Sequence, residues 1–290
     1  MANPLKVGLI GAGPWPRMVT GPVLEAGPQT CVTGVWSRTS AHAAELAAQL
    51  DVPAFEDVDA LLDTCDAVAV AVAPAAQPQF AVRAARAGKA LLLEKPLADN
   101  VAGARTIADA VHAGGVGALV MLSNRFNPAL DEFIDAAGTV EPIGARGCFI
   151  SGAFLGGAFA YGWRLERGAV LDVGPHLLDL LEAALGEIVE IRASGDALGW
   201  VSLICTHASG TTSSGSLCCS AASDSRTEVE VYGRADTATF DGRKIDYQAW
   251  ADRLRDSLVA AASGATQPAS VERALHLQQL IARIESQLSS

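Results

Sequence analysis

Leu5-Lys6-Val7-Gly8-Leu9-Ile10-Gly11-Ala12-Gly13-Pro14 decides how the rest of the chain is read. An apolar run from Val7 to Ile10 meets a Gly-Ala-Gly turn and then a segment carrying Leu, Glu and Ala. Strand, glycine turn and helix, in that order, form the context in which a G-x-G sequence holds a dinucleotide pyrophosphate. Gly11 lets the chain turn tightly off the strand, and Gly13 has no side chain to keep a phosphate away. The helix that follows turns its free N–H groups and positive dipole end toward the anion. The third glycine of the pattern is absent, because Pro16 stands there inside Pro14-Trp15-Pro16. On this stretch alone, a glycine-rich turn without a ligand remains the alternative.

Outward from that turn, strand and helix patterns alternate. Strands are predicted over Val32–Trp36, Ala67–Ala73, Lys89–Leu93 and Ala118–Leu122. Helices are predicted over Ala41–Leu50 (capped by Thr39 or Ser40), Asp57–Asp63, Gln77–Ala87 and Val101–His112. The Val/Ala run from Ala67 reads as a strand buried on both faces, as parallel strands are. Repeated βα units of this kind imply a doubly wound parallel sheet, a Rossmann domain over residues 1–122. After Ser123 the pattern changes to a helix at Pro128–Ala136 and β-type runs at Ala145–Ser151, Ile188–Ala193, Val201–His207, Thr211–Ser220 and Thr227–Tyr232. His207-Ala208-Ser209-Gly210 reads as a hairpin turn. Helices at Tyr247–Ala262 and Val271–Leu288 close the chain. Residues 123–290 are therefore expected to form a second α/β domain with an open, mostly antiparallel sheet.

With 290 residues, half of them apolar, the chain can bury two cores. A net charge of −11 argues against nucleic acid or an anionic membrane as partner. No run reaches the roughly 18 apolar residues of a membrane span, and the N-terminal apolar stretch breaks into glycines too soon for a signal peptide. Six cysteines show no C-x-x-C spacing and read as buried free thiols. The five histidines have no ligand spacing, so no metal site is expected, and the expected compartment is the cytoplasm.

Three stretches carry chemistry. The second strand runs into Ser37-Arg38-Thr39, where an Asp or Glu would bind the ribose 2′-hydroxyl of NAD. A hydroxyl and a guanidinium suit a 2′-phosphate instead, which favours NADP; a solvated arginine beside a helix cap is the plainer alternative. The fifth strand runs into Glu94-Lys95-Pro96, at the sheet edge where open α/β folds bind ligands. Pro96 stiffens the turn and fixes where Lys95 points, although a surface lysine would read the same way. In Gly168-Ala169-Val170-Leu171-Asp172-Val173-Gly174-Pro175-His176-Leu177-Leu178-Asp179, Pro175 suits the first position of a helix stopping at Gly186. His176 would then sit at the positive dipole end, which favours the neutral base, with Asp172 about a turn away. A core histidine is the alternative.

Taken together, Gly11-Ala12-Gly13, Ser37-Arg38, Glu94-Lys95-Pro96-Leu97 and the Asp172/Gly174/His176/Asp179 spacing resemble the Gfo/Idh/MocA oxidoreductases over most of the chain. Asn124-Arg125-Phe126-Asn127-Pro128 and Trp163-Arg164 also look like family segments. The resemblance implies an NADP- or NAD-dependent enzyme passing a hydride between the cofactor and a hydroxyl or carbonyl of a sugar, cyclitol or similar polyol. It implies cofactor contacts from Gly11, Gly13, Pro14, Trp15, Ser37, Arg38, Thr39, Pro74, Gln77, Glu94 and Lys95. It further implies catalysis by Lys95, His176 and Asp172, substrate contacts from Arg125, Trp163 and Arg164, and a homo-oligomer built on the second sheet. Pro16, and Gln77 where many members have a histidine, depart from the family pattern. A catalytically silent dinucleotide-binding regulator, or a reductase of another carbonyl or imine, is the rival.

Overall fold

A computed structural model describes residues 3–288. The chain divides into two compact units: residues 1–121 with 251–275, and residues 122–250 with 276–290.

The first unit is built on six parallel strands: β1 (Leu5–Ile10), β2 (Thr30–Trp36), β3 (Ala54–Phe55), β4 (Ala67–Val70), β5 (Ala90–Leu93) and β6 (Ala118–Val120). They lie in the order β3-β2-β1-β4-β5-β6. Val7, Leu9, Ile10, Val68, Leu91 and Leu93 are fully buried, as strands covered on both faces require. The crossover helices are α1 (Gly21–Glu25), α2 (Ser40–Leu50), α3 (Val58–Leu62), α4 (Gln77–Arg86) and α5 (Val101–Gly114). Asp57 caps α3 by accepting from Ala60 N–H at 2.9 Å, and Asn100 caps α5 by accepting from Gly103 N–H at 2.9 Å. Thr39 holds the N-cap position of α2 without a side-chain cap bond. Strand β4 ends at Val70, three residues short of the expected Ala73, because Ala71 N–H turns to Ile10 O at 2.8 Å and the chain then leaves the sheet. The two-residue β3 is too short to show a period in the sequence.

A single cut near residue 122 does not describe the units, since Ala251–Leu275 packs with the first. Three contacts explain it. The exposed edge of β6 is closed where Val120 N–H donates to Ala269 O at 2.7 Å. Gly117 leaves room for Ala261 O, which a Cβ there would meet at 1.8 Å. Arg255, whose side chain is only 2% exposed, donates to Val23 O at 2.8 Å and to Gln29 Oε1 at 3.1 Å and pairs with Asp252. None of these contacts leaves a local sequence signal.

The second unit is a helix-backed sheet of β7 (Pro142–Ile150), β8 (Ile188–Gly195), β9 (Val201–His207), β10 (Thr212–Cys218), β11 (Arg226–Gly233) and β12 (Thr237–Asp241), ordered β12-β11-β7-β10-β9-β8. Only β7 and β10 pair in parallel. The β9–β10 hairpin turns at the expected place, while β12 lay unread because its only large apolar side chain is Phe240. Across this unit run α6 (Ala129–Thr139) and α7 (Trp163–Leu185), with helices α8 (Tyr247–Ala262) and α9 (Val271–Leu288) closing the chain.

Helix α7 corrects the expected start at Pro175. It begins at Trp163, breaks at Gly168 (φ 75°, ψ −169°), and resumes, so that Pro175 lies in its interior. Gly168 is required there, because a Cβ would meet Ala197 O at 1.9 Å. From Gly168 to Glu182 every residue is buried, so this is a helix without a solvent face. Leu177 reaches the sheet over Gly147 and Gly215, which are partners in register on β7 and β10; Cβ atoms there would lie 2.8 and 3.2 Å from its methyl groups.

Replacing Arg255 by Met removes three polar contacts from a buried guanidinium and strands the Val23 carbonyl. Urea unfolding is expected to show a loss of about 2–3 kcal/mol; an unchanged midpoint would mean that these buried contacts add nothing to stability.

Candidate active site

Strand order reverses between β1 and β4, and the carboxyl edge at such a reversal is where open α/β sheets hold ligands. Gly11 follows β1 at φ +114°, a conformation that suits glycine, and a Cβ on it would meet Ala71 O at 2.1 Å. Gly13, Pro14 and Trp15 are half-buried, leaving the turn open to a ligand. The helix after it starts at Pro14. Pro14 and Pro16 have no N–H, so the first turn offers fewer anion donors than the sequence pattern promises. A π-turn spans Pro16–Thr20 and closes with Gly21 N–H on Pro16 O. The widened ladder comes just ahead of Pro22, which has no N–H to continue it.

Arg17 carries no motif and went unread. Its Nε donates to Ala12 O at 2.9 Å, and its guanidinium bridges Glu45 at 2.7 Å, tying the glycine turn to α2. After β2, Ser37 is half-buried, and Arg38 and Thr39 are exposed. Arg38 makes no hydrogen bond or ion pair among the described residues, so its cation is available to an incoming anion. The place of the ribose-binding acid holds Ser37. A glycine cradle that no side chain could enter, with an unspent guanidinium one strand away, fits a dinucleotide phosphate.

One strand beyond the switch point, β5 ends in Glu94-Lys95-Pro96, with Glu94 and Lys95 half-buried and the Lys95–Pro96 peptide cis. Pro74 is buried in the bend before α4, and its carbonyl, with that of Ala73, accepts from Gln77 N–H. The Gln77 side chain, fully buried, bonds to the backbone of the Glu94–Leu97 turn.

In the second unit, Asp172, His176 and Asp179 fall at i, i+4 and i+7 of α7, a polar stripe on a buried helix. They are 6%, 7% and 1% exposed. His176 stacks on Phe149 with ring centroids 5.9 Å apart. It sits two turns inside the resumed helix, so the expected dipole effect on its basicity lapses, since that effect fades within the first turn. Arg125 comes from a 3₁₀ turn at Ser123–Phe126 and grips Asp179 with two bonds of 2.6 and 2.8 Å. Arg164 lies 3.3 Å from Asp172, with its guanidinium 4.6, 5.5 and 5.6 Å from the rings of Trp163, Phe159 and Tyr161. Both arginines expected at the substrate thus face a carboxylate of α7. Glu182 continues the pattern, accepting from Ile188 N–H at 2.6 Å beside His276 at 2.9 Å.

The cysteines are free, and burial is the largest cause raising Cys31, Cys65, Cys148 and Cys205, the last to about 11, so none of these four is poised as a thiolate. Among the described residues, no group of three His, Cys, Asp or Glu side chains is arranged to hold a metal, and no helix is long and apolar enough to cross a membrane.

Fold and residues define a dinucleotide-binding α/β protein with a second, helix-backed mixed-sheet unit. Residues 5–121 match the oxidoreductase family with an NAD-binding Rossmann fold, and residues 104–239 match the Gfo/Idh/MocA C-terminal domain. The chain belongs to the Gfo/Idh/MocA oxidoreductase family. Among curated proteins it is similar to the dTDP-3,4-didehydro-2,6-dideoxy-alpha-D-glucose 3-reductase of Streptomyces violaceoruber (29% identity, 66% of this chain and 57% of that one). It is also similar to the scyllo-inositol 2-dehydrogenase (NADP(+)) IolU of Bacillus subtilis (30% identity, 58% of this chain and 54% of that one). The matched segment thus spans a little over half the length of these relatives. Solved structures share the fold: UDP-N-acetylglucosamine 3-dehydrogenase GnnA from Acidithiobacillus ferrooxidans (TM-score 0.85, 21% identity, 99% of this chain and 98% of that one). GenD2 from gentamicin A biosynthesis, in complex with NAD, is equally near (TM-score 0.86, 20% identity, 100% and 95%).

Proposed function

We propose that this chain is an NAD(P)-dependent oxidoreductase acting on a hydroxyl or carbonyl of a sugar, cyclitol or related small polyol. The observation that carries the reading is Lys95 at the carboxyl edge of β5, one strand from the switch point and its glycine cradle. The sugar and inositol chemistry named for the relatives supports the substrate class.

Gly11, Gly13, Pro14, Trp15, Ser37, Arg38, Thr39, Pro74 and Glu94 form the dinucleotide-binding edge. A bound nicotinamide supplies the hydride acceptor in oxidation and the donor in reduction. Lys95 hydrogen-bonds the reacting oxygen and stabilises negative charge as it develops. His176 exchanges the hydroxyl proton, its ring plane held by Phe149. Asp172 binds a neighbouring hydroxyl, and Arg164, 3.3 Å away, fixes where that carboxylate points. Trp163 and Arg164 border the substrate, whereas Arg125 acts through Asp179.

Arg38 and the missing ribose carboxylate favour NADP over NAD. The exposed sheet face, with Ile204 60% and Tyr232 38% exposed, supports a homo-oligomer through the second unit. Free thiols suit a reducing, cytoplasmic setting.

Incubation with NADP or NAD and a panel of sugars and polyols, followed by reduced-cofactor absorbance, tests the activity. Lys95→Ala and His176→Ala are each expected to lower kcat on the order of 10²–10⁴-fold while dinucleotide Kd stays within about threefold. Wild-type turnover in either variant removes that role, and tight dinucleotide binding without turnover on any substrate points to a regulator. Arg38→Ala should weaken NADP about 10-fold or more and leave NAD unchanged; NAD bound tighter than NADP by the wild type overturns the preference. Sedimentation velocity should give a species larger than a monomer, lost with Ile204→Lys; a monomer at all concentrations sinks the oligomer.

A further inference from the structure

The Gln77 carboxamide is fully buried and makes bonds at both of its ends. Its Oε1 accepts from Glu94 N–H at 3.0 Å, and its Nε2 donates to Glu94 O at 2.7 Å and Leu97 O at 2.9 Å, with Pro96 O at 3.4 Å. These partners flank Lys95 on both sides. A carboxamide is the side chain that accepts and donates in one plane as a peptide group does. Here it takes the place of a neighbouring strand. The β4 ladder reaches only as far as Glu94 N–H on Val70 O at 3.2 Å, and among the described residues no strand of the sheet pairs with the turn that follows. Gln77, the first residue of α4, supplies that rung from the helix.

We propose that Gln77 is a positioning residue that fixes the direction of the Lys95 side chain, and that it does not act by touching the dinucleotide. The inference rests on Lys95 serving the reacting oxygen. Without the clamp, the turn loses bonds on either side of Lys95, and the ammonium at the end of a four-carbon stem inherits the movement. A misplacement near 1 Å costs about 10²-fold in rate.

Gln77→Met keeps volume and removes the polar bonds, and Gln77→Glu keeps the acceptor but turns an acid toward three carbonyls. Because the chain has lysine only at 6, 89, 95 and 244, [¹³Cε]lysine spectra of the cofactor-free protein give four signals, assigned through Lys95→Arg. The expected result is that Gln77→Met moves the Lys95 signal toward that of an exposed lysine and leaves the other three in place. It should also lower kcat about 10–100-fold at nearly unchanged dinucleotide Kd, and Gln77→Met/Lys95→Ala should be no slower than Lys95→Ala. An unmoved Lys95 signal overturns the proposal, as does a raised dinucleotide Kd at constant kcat, or additive losses in the double variant. If Lys95→Ala alone turns over like the wild type, the role of Lys95 fails while the spectra still judge the clamp.

Discussion

The first unit depends on β1 lying between β2 and β4 with all three strands running the same way. From β1 the chain leaves one side of the sheet toward β2 and returns to its other side at β4, so the loops at the carboxyl edge diverge. Gly11 stands where they part, packed so closely on Ala71 that the carbonyl fills the space of a side chain. The same contact that closes the sheet therefore exposes backbone to a phosphate. Packing and binding are one requirement here, and both fall on a residue without a Cβ.

The second unit solves a different problem. A helix buried on every side should be apolar, yet α7 carries Asp172, His176, Asp179 and Glu182. Three carboxylates in such surroundings would cost more than the fold can spare unless each is partnered. Arg164, Arg125 and the His276–Ile188 pair meet them one by one. His176, on the same stripe, stacks on Phe149, and that contact restricts its ring plane.

Much of the first unit was legible because its signals are local: apolar runs, a glycine turn, and helical stretches alternating with them. The glycine cradle and the Glu-Lys-Pro turn follow from those signals, since a strand's end defines the edge. What the sequence concealed lies far apart along the chain. Arg255 reaching Val23, Gly117 yielding to Ala261, and Gly147 with Gly215 receiving Leu177 all need the fold before they mean anything. The start of α7 was misplaced for a related reason. Pro175 favours a first turn, but tertiary burial of the surrounding Val, Leu and Ala residues outweighs the one backbone bond that it removes.

Residue type alone does not give the partners of several polar groups. The family resemblance implies ligand contacts for Gln77, Arg125 and Arg164. In the fold, Gln77 meets backbone, and the two arginines meet carboxylates of α7. Arg38 differs from these: it is exposed and makes no hydrogen bond or ion pair among the described residues. A buried polar group in a site must be satisfied by the protein before the ligand arrives, or the empty site would not hold its shape. Groups already satisfied set positions, and groups still unsatisfied set affinity. By that division Arg38, exposed and uncommitted, belongs with affinity, and Gln77, bonded at both ends to the Glu94–Leu97 turn, belongs with position.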